Sequence, residues 1–322
     1  MSINKQEHLQ NVLETHRMAH IDGLLTKYKT KRGEVKEAME EKYTTDIYSP
    51  LNSGSYAKHT AINTKFDLDV ITPFKRNSFD TLEAMFNDVY DFLYEKYKDV
   101  ATVRKQKVSI GIEFFADEDG DTINLDIVPG RELNQDQYTD DKYINLYVNS
   151  KYGMIAEKTY IQTNIQAQID HIKAKESERK IIRLLKIWKN SNKETYKSFL
   201  LELITIKAFD KESISGNLWE MLKAVMEYIK DNVTKDDFKL TDPGNSNNNV
   251  METLESSQRT NLSNRMDIIL KRIEENDENI KTYFPVNEKF EQTDSSDNSY
   301  GIKGPLIKQS IPKDNQRYGS ND

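Results

Sequence analysis

Residues 53–70 read Ser-Gly-Ser-Tyr-Ala-Lys-His-Thr-Ala-Ile-Asn-Thr-Lys-Phe-Asp-Leu-Asp-Val and combine a tight turn with an acidic strand. Gly54-Ser55 predicts the turn, because glycine has no Cβ and lets the backbone approach a ligand closely. If a helix begins there, its unpaired N–H groups and the positive end of its dipole suit a triphosphate. Gly54 and Ser55 are therefore candidate nucleotide-binding residues.

The end of this stretch, Phe66-Asp67-Leu68-Asp69-Val70, alternates apolar and acidic side chains with a period of two. On a strand, this pattern puts both carboxylates on one face and the apolar side chains on the other. Two like charges side by side are costly unless a cation neutralises them. Asp67 and Asp69 are therefore predicted to bind a divalent metal ion.

A third carboxylate comes from residues 122–128, where Asp126 lies opposite an apolar face. A strand over 107–115 is predicted to precede it, joined through a polar hairpin turn at 117–121. Taken alone, Asp126 would be interpreted as a solvated residue. Together with Asp67 and Asp69, it completes a set that can hold two Mg²⁺ ions, or Mn²⁺ in their place, ~3.5–4 Å apart for in-line phosphoryl displacement. These three aspartates are the predicted catalytic and metal-binding residues.

The same residues carry a family resemblance. Gly54-Ser55, a spacer of eleven residues, Asp67-x-Asp69 and Asp126 resemble the signature of polymerase-β-type nucleotidyltransferases. The form Gly-Ser-Tyr-Ala-x-x-Thr is similar to the bacterial CD-NTases (cGAS/DncV-like nucleotidyltransferases) and, more distantly, to the oligoadenylate synthases. The resemblance extends from about residue 50 to 283.

The resemblance implies an α+β fold, a bilobed polymerase-β-like nucleotidyltransferase with a mixed-sheet catalytic lobe and a helical C-terminal lobe. It also implies an enzyme that makes a cyclic di- or oligonucleotide from NTPs by two-metal nucleotidyl transfer. The product would activate a separate effector protein in bacterial antiphage (CBASS) signalling.

The second half of the chain is predicted to be helical, with Ile181, Leu184, Leu185 and Trp188 on one apolar face at i, i+3, i+4 and i+7. It supplies further candidates by resemblance. Residues 181–189, Ile-Ile-Arg-Leu-Leu-Lys-Ile-Trp-Lys, are similar to the family helix whose lysine contacts the triphosphate, and this match assigns that role to Lys186. The helix over 198–209 resembles the next helix of the family, in which the Ser198 hydroxyl looks like a phosphate contact. Ser198 could equally be an N-terminal cap.

Composition excludes several other classes of function. The formal net charge of −7 argues against an extended nucleic-acid surface but is compatible with NTP substrates. The chain has no cysteine, which excludes disulfides and thiolate zinc sites. It contains no apolar run long enough for a membrane span and no apolar signal core, so a cytoplasmic protein without a membrane partner is expected.

Three parts of the chain are predicted. Residues 1–160 form the catalytic lobe with an N-terminal helix, and residues 161–285 form a helical lobe like that of the oligoadenylate synthases. Residues 286–322 are rich in Asp, Asn, Ser, Lys and Gln, and we expect them to be a disordered tail that does not dock on the core. In the family, such tails are handled by ubiquitin-transfer-like or HORMA-type partners, so the tail is a candidate site for a protein partner.

Two alternatives remain open at this level. A linear oligonucleotide synthase, or a nucleotidyltransferase that modifies a tRNA or a protein, would carry the same acidic residues. A non-catalytic module could also keep the fold for partner binding. The sequence does not specify the base, the linkage, the ring size or the activating signal.

Overall fold

The computed structural model of this protein describes residues 3–149 and 159–291. The helices are Lys5–Thr15 (α1), Asp22–Tyr43 (α2), Gly54–Ala57 (α3), Leu82–Tyr97 (α4), Tyr138–Asp141 (α5), Ile165–Lys173 (α6), Glu176–Ser191 (α7), Ser198–Lys211 (α8), Leu218–Asn232 (α9), Ser256–Glu275 (α10) and Ile280–Tyr283 (α11). The strands are Leu51–Ser53 (β1), Asp69–Phe74 (β2), Ala101–Lys105 (β3), Ile110–Phe114 (β4), Ile123–Glu132 (β5), Ile144–Tyr147 (β6), Tyr160–Thr163 (β7), Thr241–Asp242 (β8) and Asn245–Asn249 (β9).

The first lobe is built on a mixed sheet with the strand order β1-β2-β5-β4-β3, extended by β6 and β7 beside β5. Strands β2 and β5 are parallel, with Val70 opposite Ile127, whereas the other pairs are antiparallel. This register places Asp69 and Asp126 next to each other on neighbouring strands. On the other side of β2, Ser53 of β1 pairs with Asp69, so the glycine-serine turn begins beside the same carboxylate.

Successive side chains of β2 and β5 point to opposite sides of the sheet, so each side has an apolar face. Helices α2 and α4 cover one face, where they pack against the buried side chains of Leu68, Val70, Leu125 and Ile127. Ile71 and Val128 point to the other face, toward Tyr138 of α5 and Leu146 of β6. Burial of this kind contributes roughly 1.5–3 kcal/mol for each large apolar side chain. The acidic residues therefore sit on a rigid, well-packed sheet.

The hairpin that precedes β5 differs from the sequence prediction. Strand β4 begins at Ile110 rather than at residue 107, because residues 106–109 form a turn. In this turn the Gln106 backbone N–H donates to the Ser109 backbone carbonyl at 2.8 Å. An additional edge strand, β3, pairs with β4. This strand was not predicted because Ala101 and Val103 are its only apolar residues.

The second lobe packs helices α7 to α11 around one apolar core. The predicted inward face of α7 is confirmed, since Ile181, Leu184, Leu185 and Trp188 are all buried there. Helix α1 joins this core through Leu9 and Val12, whereas the sequence placed the N-terminal helix with the catalytic lobe. Helix α2 does pack on the sheet. Over the described ranges, no helix has the length and hydropathy required to cross a membrane.

The segment that follows α11 docks on the rest of the protein. The Asn287 backbone N–H donates to Thr15 Oγ1, and its side-chain amide donates to Asn63 Oδ1, both at 3.0 Å. Phe290 stacks on His20 with the ring centroids 4.7 Å apart. The expectation that the chain beyond residue 285 does not dock is therefore wrong for residues 286–291, because averaging composition over a long polar stretch hides a short docking segment. The remainder of that predicted tail, 292–322, lies outside the described residues.

Two truncations test this docking. Removing residues 292–322 is expected to leave the melting temperature within about 1 °C of wild type. Removing 286–322 should lower it by several degrees, because each lost hydrogen bond contributes roughly 0.5–1.5 kcal/mol and a chain of this size loses about 2–4 °C per kcal/mol. Differential scanning calorimetry measures both, and equal melting temperatures for the two truncations would contradict the contacts of Asn287 and Phe290.

Candidate active site

The glycine-serine turn joins β1 to the short helix α3. Gly54 has a φ angle of 87°, a backbone conformation that residues with a Cβ rarely adopt. The Ser55 backbone N–H donates to Asp67 Oδ1 at 2.6 Å, and the Ser55 hydroxyl donates to the same oxygen. The predicted nucleotide-binding turn and the first predicted carboxylate are therefore in direct contact.

Asp69 is the most buried of the predicted carboxylates, with 2% of its surface exposed. Burial raises the pKa of Asp69 well above its ordinary range, and the neighbouring charge of Asp126 raises it further, while the Lys58 ammonium acts in the opposite direction. A buried carboxylate beside a second carboxylate is the environment that a divalent cation relieves. Asp67, Asp69 and Asp126 thus have the donor chemistry that a Mg²⁺ or Mn²⁺ site requires.

A second group of aspartates lies in the turn between β4 and β5. Asp117, Asp119 and Asp121 bring carboxylate oxygens within 4.8 Å of one another. The Lys27 ammonium forms ion pairs with all three, at 2.6–2.7 Å. These pairs raise the pKa of Lys27, so its ammonium already offsets one of the three negative charges of this turn.

The predicted phosphate contacts Lys186 and Ser198 are bonded to different groups. Lys186 is 6% exposed, and its ammonium donates to Thr60 Oγ1 at 2.8 Å and to the Thr60 carbonyl at 3.0 Å. Ser198 is the first residue of α8 and accepts from the Lys189 ammonium at 3.2 Å. Lys186 therefore ties the helical lobe to the loop between the turn and Asp67, and Lys189 is a cation at Ser198 that the sequence reasoning missed. Lys189 lies one helical turn beyond Lys186 in the same family-like segment, and this spacing could have indicated that it faces the same region.

A buried ion pair between the lobes was also missed. Lys58 follows α3, and its ammonium donates to Glu202 Oε1 of α8 at 2.9 Å. The two side chains are only 11% and 5% exposed, and the ammonium also lies 4.6 Å from the ring centroid of Phe199. The pair connects the nucleotide-binding turn to the helical lobe across the site.

Comparisons of the sequence and of the structure with known proteins point to the same class of protein. The CBASS oligonucleotide cyclase CdnC of Escherichia coli (strain KTE188) is 25% identical over 243 residues, which cover 71% of this chain and 69% of CdnC. No family model matches the chain. CdnC of E. coli MS115-1, solved in a complex with HORMA-deltaN, has a TM-score of 0.64 at 19% identity and covers 88% of this chain and 93% of its own. CdnG of Bradyrhizobium diazoefficiens, solved with GTP, has a TM-score of 0.68 at 15% identity, with 88% and 96% covered.

These similarities define the fold as that of the polymerase-β-like nucleotidyltransferases and confirm the predicted α+β class. Within that class, the chain is similar to the CD-NTases of the cGAS/DncV-like family, as its sequence indicated. CdnC is an oligonucleotide cyclase, and the prediction of an enzyme is confirmed.

Proposed function

We propose that this protein synthesises a cyclic di- or oligonucleotide second messenger from NTPs, in bacterial antiphage signalling. The observation that supports this most strongly is the parallel pairing of β2 with β5, which sets the buried Asp69 beside Asp126. Ser55 donates both its backbone N–H and its hydroxyl to Asp67, two residues before Asp69. The similarity to CdnC, an oligonucleotide cyclase, favours a cyclic product over a linear one.

In this proposal, each aspartate has a role. Asp67 and Asp69 would hold both metal ions, and Asp126 would complete the site and accept the proton of the attacking ribose hydroxyl. The ions supply charge neutralisation for the transferring phosphoryl group and its leaving pyrophosphate. Because the residues are fixed by a packed sheet, much of the rate enhancement would come from positioning and from preorganised charge.

The donor triphosphate would lie between the lobes. Gly54 and Ser55 would contact the phosphates from the first lobe, where Ser55 would exchange the bonds that it donates to Asp67 for bonds to the phosphates. Lys186 and Ser198 would contact the phosphates from the helical lobe. Lys189, which is bonded to Ser198, would add a second positive charge there. Local positive charge in a cleft is enough to attract NTPs, even though the protein as a whole is acidic.

A protein partner is part of the proposal. CdnC forms a complex with a HORMA protein, and a partner of that type would act on this chain as well. The tail beyond residue 291 is the proposed contact, and a separate effector would be reached through the nucleotide product.

The test is an incubation of purified protein with all four labelled NTPs and Mg²⁺ or Mn²⁺, followed by phosphatase. A ring has no terminal phosphate, so phosphatase leaves cyclic products unchanged. Labelled products from which phosphatase removes terminal phosphates, which changes their charge and mobility, would indicate a linear synthase, and labelling that requires added tRNA or protein would indicate a transferase for that acceptor. Either result would overturn the cyclic assignment.

Lys186 provides a test of the triphosphate position. Lys186→Met is expected to weaken NTP binding by ~1–3 kcal/mol, the cost of one charge-assisted contact. Titration calorimetry with a non-hydrolysable ATP analogue measures this loss. Lys180→Met is the control, because Lys180 lies on the same helix and pairs only with Glu176 in an exposed salt bridge. Equal affinities for both variants would remove Lys186 from the site.

A further inference from the structure

Gln106 lies in the turn between β3 and β4 and contacts the third carboxylate of the site. Its side-chain amide nitrogen Nε2 donates to Asp126 Oδ1 at 2.9 Å. On the other side of the amide, Ser109 Oγ donates to Gln106 Oε1 at 3.0 Å. The amide nitrogen faces Asp126 because an ionised carboxylate only accepts hydrogen bonds, which leaves Oε1 for the Ser109 hydroxyl.

The strand beside Asp126 leaves space for this contact. Gly111 of β4 pairs with Asp126 in the antiparallel ladder. A Cβ at Gly111 would lie 2.4 Å from Gln106 Nε2, far inside van der Waals contact. The Gln106 amide therefore occupies the volume that a side chain at position 111 would fill, which makes the contact dependent on glycine there.

The chemistry of this contact differs from that at the other acidic cluster. Lys27 places a full positive charge among Asp117, Asp119 and Asp121, where it offsets one of their three negative charges and repels a metal ion. An amide N–H orients a carboxylate without cancelling its charge, because it is a neutral donor. A bond to Oδ1 also fixes the rotation of the carboxylate and hence the direction of Oδ2.

We propose that Gln106, held by Ser109, is a positioning residue that orients Asp126 for metal binding. The inference rests on the proposed function, in which Asp126 is a metal ligand. Residues that orient ligands in this way typically change metal affinity or activity by about 10- to 100-fold when they are replaced. A purely structural role in the turn would instead lower stability and leave metal affinity unchanged.

The test measures Mn²⁺ affinity by electron paramagnetic resonance with a non-hydrolysable ATP analogue present, together with the melting temperature. Gln106→Met and Ser109→Ala are compared with Gln168→Met, because Gln168 makes the same type of bond, 2.9 Å to Asp242 Oδ1, in the helical lobe. Gln106→Met is expected to weaken Mn²⁺ binding about 10- to 100-fold and Ser109→Ala by a smaller factor, with no change for Gln168→Met.

Mn²⁺ affinity that stays at the wild-type value in a folded Gln106→Met protein would overturn the inference. If that variant does not fold, Ser109→Ala decides, because it removes only the group that orients the amide. Asp126→Asn separates this outcome from failure of the proposed function. Wild-type Mn²⁺ affinity in Asp126→Asn would reject the metal site itself, whereas a loss in Asp126→Asn without a loss in Gln106→Met would reject only the role of Gln106.

Discussion

Replacing Asp67 and Asp69 together by asparagine is expected to lower nucleotide synthesis by a factor of about 1,000 or more. The substitution removes both charges that would hold the ions and changes side-chain volume very little. Loss of about 4 kcal/mol of transition-state stabilisation accounts for such a factor, and metal ions supply several kcal/mol in reactions of this type. Product formation is measured with labelled NTPs in saturating Mg²⁺.

The same variant should be at least as stable as wild type when no metal is present. Because burial raises the pKa of Asp69, the folded protein binds more protons than the unfolded chain from about pH 4 up to that raised value. Stability of the wild type therefore falls as the pH rises through this window. Asparagine does not titrate, so the variant should lose this contribution to the slope, and thermal unfolding in EDTA at several pH values measures it.

Asp119→Asn is the control for charge removal, since Asp119 belongs to the separate cluster of aspartates that pairs with Lys27. This variant should retain wild-type synthesis. Synthesis at the wild-type rate in the Asp67→Asn/Asp69→Asn protein would show that the chemistry is elsewhere. A melting temperature that fell sharply without metal would show that the two carboxylates are stabilising, contrary to the effect of their burial.

The second large effect is expected at the ion pair between Lys58 and Glu202. Glu202→Leu alone leaves the Lys58 ammonium nearly buried without this carboxylate, which typically costs ~3–5 kcal/mol of unfolding free energy. Lys58→Met alone likewise leaves the Glu202 carboxylate nearly buried without the Lys58 ammonium. The double variant removes both charges and should be more stable than either single variant, because well-packed apolar side chains often replace a buried pair at little cost.

The wild type, the two single variants and the double variant form a double-mutant cycle. Chemical denaturation of these four proteins gives the coupling free energy between Lys58 and Glu202. The matched control is the pair of Lys175 with Asp210, which also has a separation of 2.9 Å but is 25% and 52% exposed. Exposed pairs contribute about 0–1 kcal/mol, so its cycle should show little coupling. Additive effects at Lys58 and Glu202 would mean that the pair does not hold the turn to the helical lobe.

The parts of the site that the sequence predicts are those with a local pattern. Asp67, Asp69 and Asp126 were found because period-two alternation assigns each to a strand face. Strand β5 does alternate between buried and partly exposed residues over 123–127, whereas β2 is buried at every position and begins at Asp69, so Asp67 precedes the strand. The apolar face of α7 followed from helical spacing in the same manner. The proximity of the two strands came from family resemblance, because no local pattern specifies which strands pair.

The contacts that the sequence did not predict join distant residues. Glu202 lies 144 positions from Lys58, and neither residue has a neighbour in the sequence that indicates the other. Gln106 was missed for a different reason, since it precedes β4 in a turn that the pattern assigned to a strand. Glutamine at a turn has no distinctive signal, and its role becomes visible only when Gly111 and Asp126 are seen opposite each other.

The bond between Asn287 and Asn63 has a consequence for biosynthesis. Asn63 lies in the loop between the glycine-serine turn and Asp67, and its amide partner is translated 224 residues later. Because chains are made from the N-terminus, the first lobe can fold on the ribosome well before this bond can form. The loop beside the site acquires this contact only when translation has passed residue 287. A nascent chain interrupted before that point therefore differs from a longer one in the surroundings of Asn63.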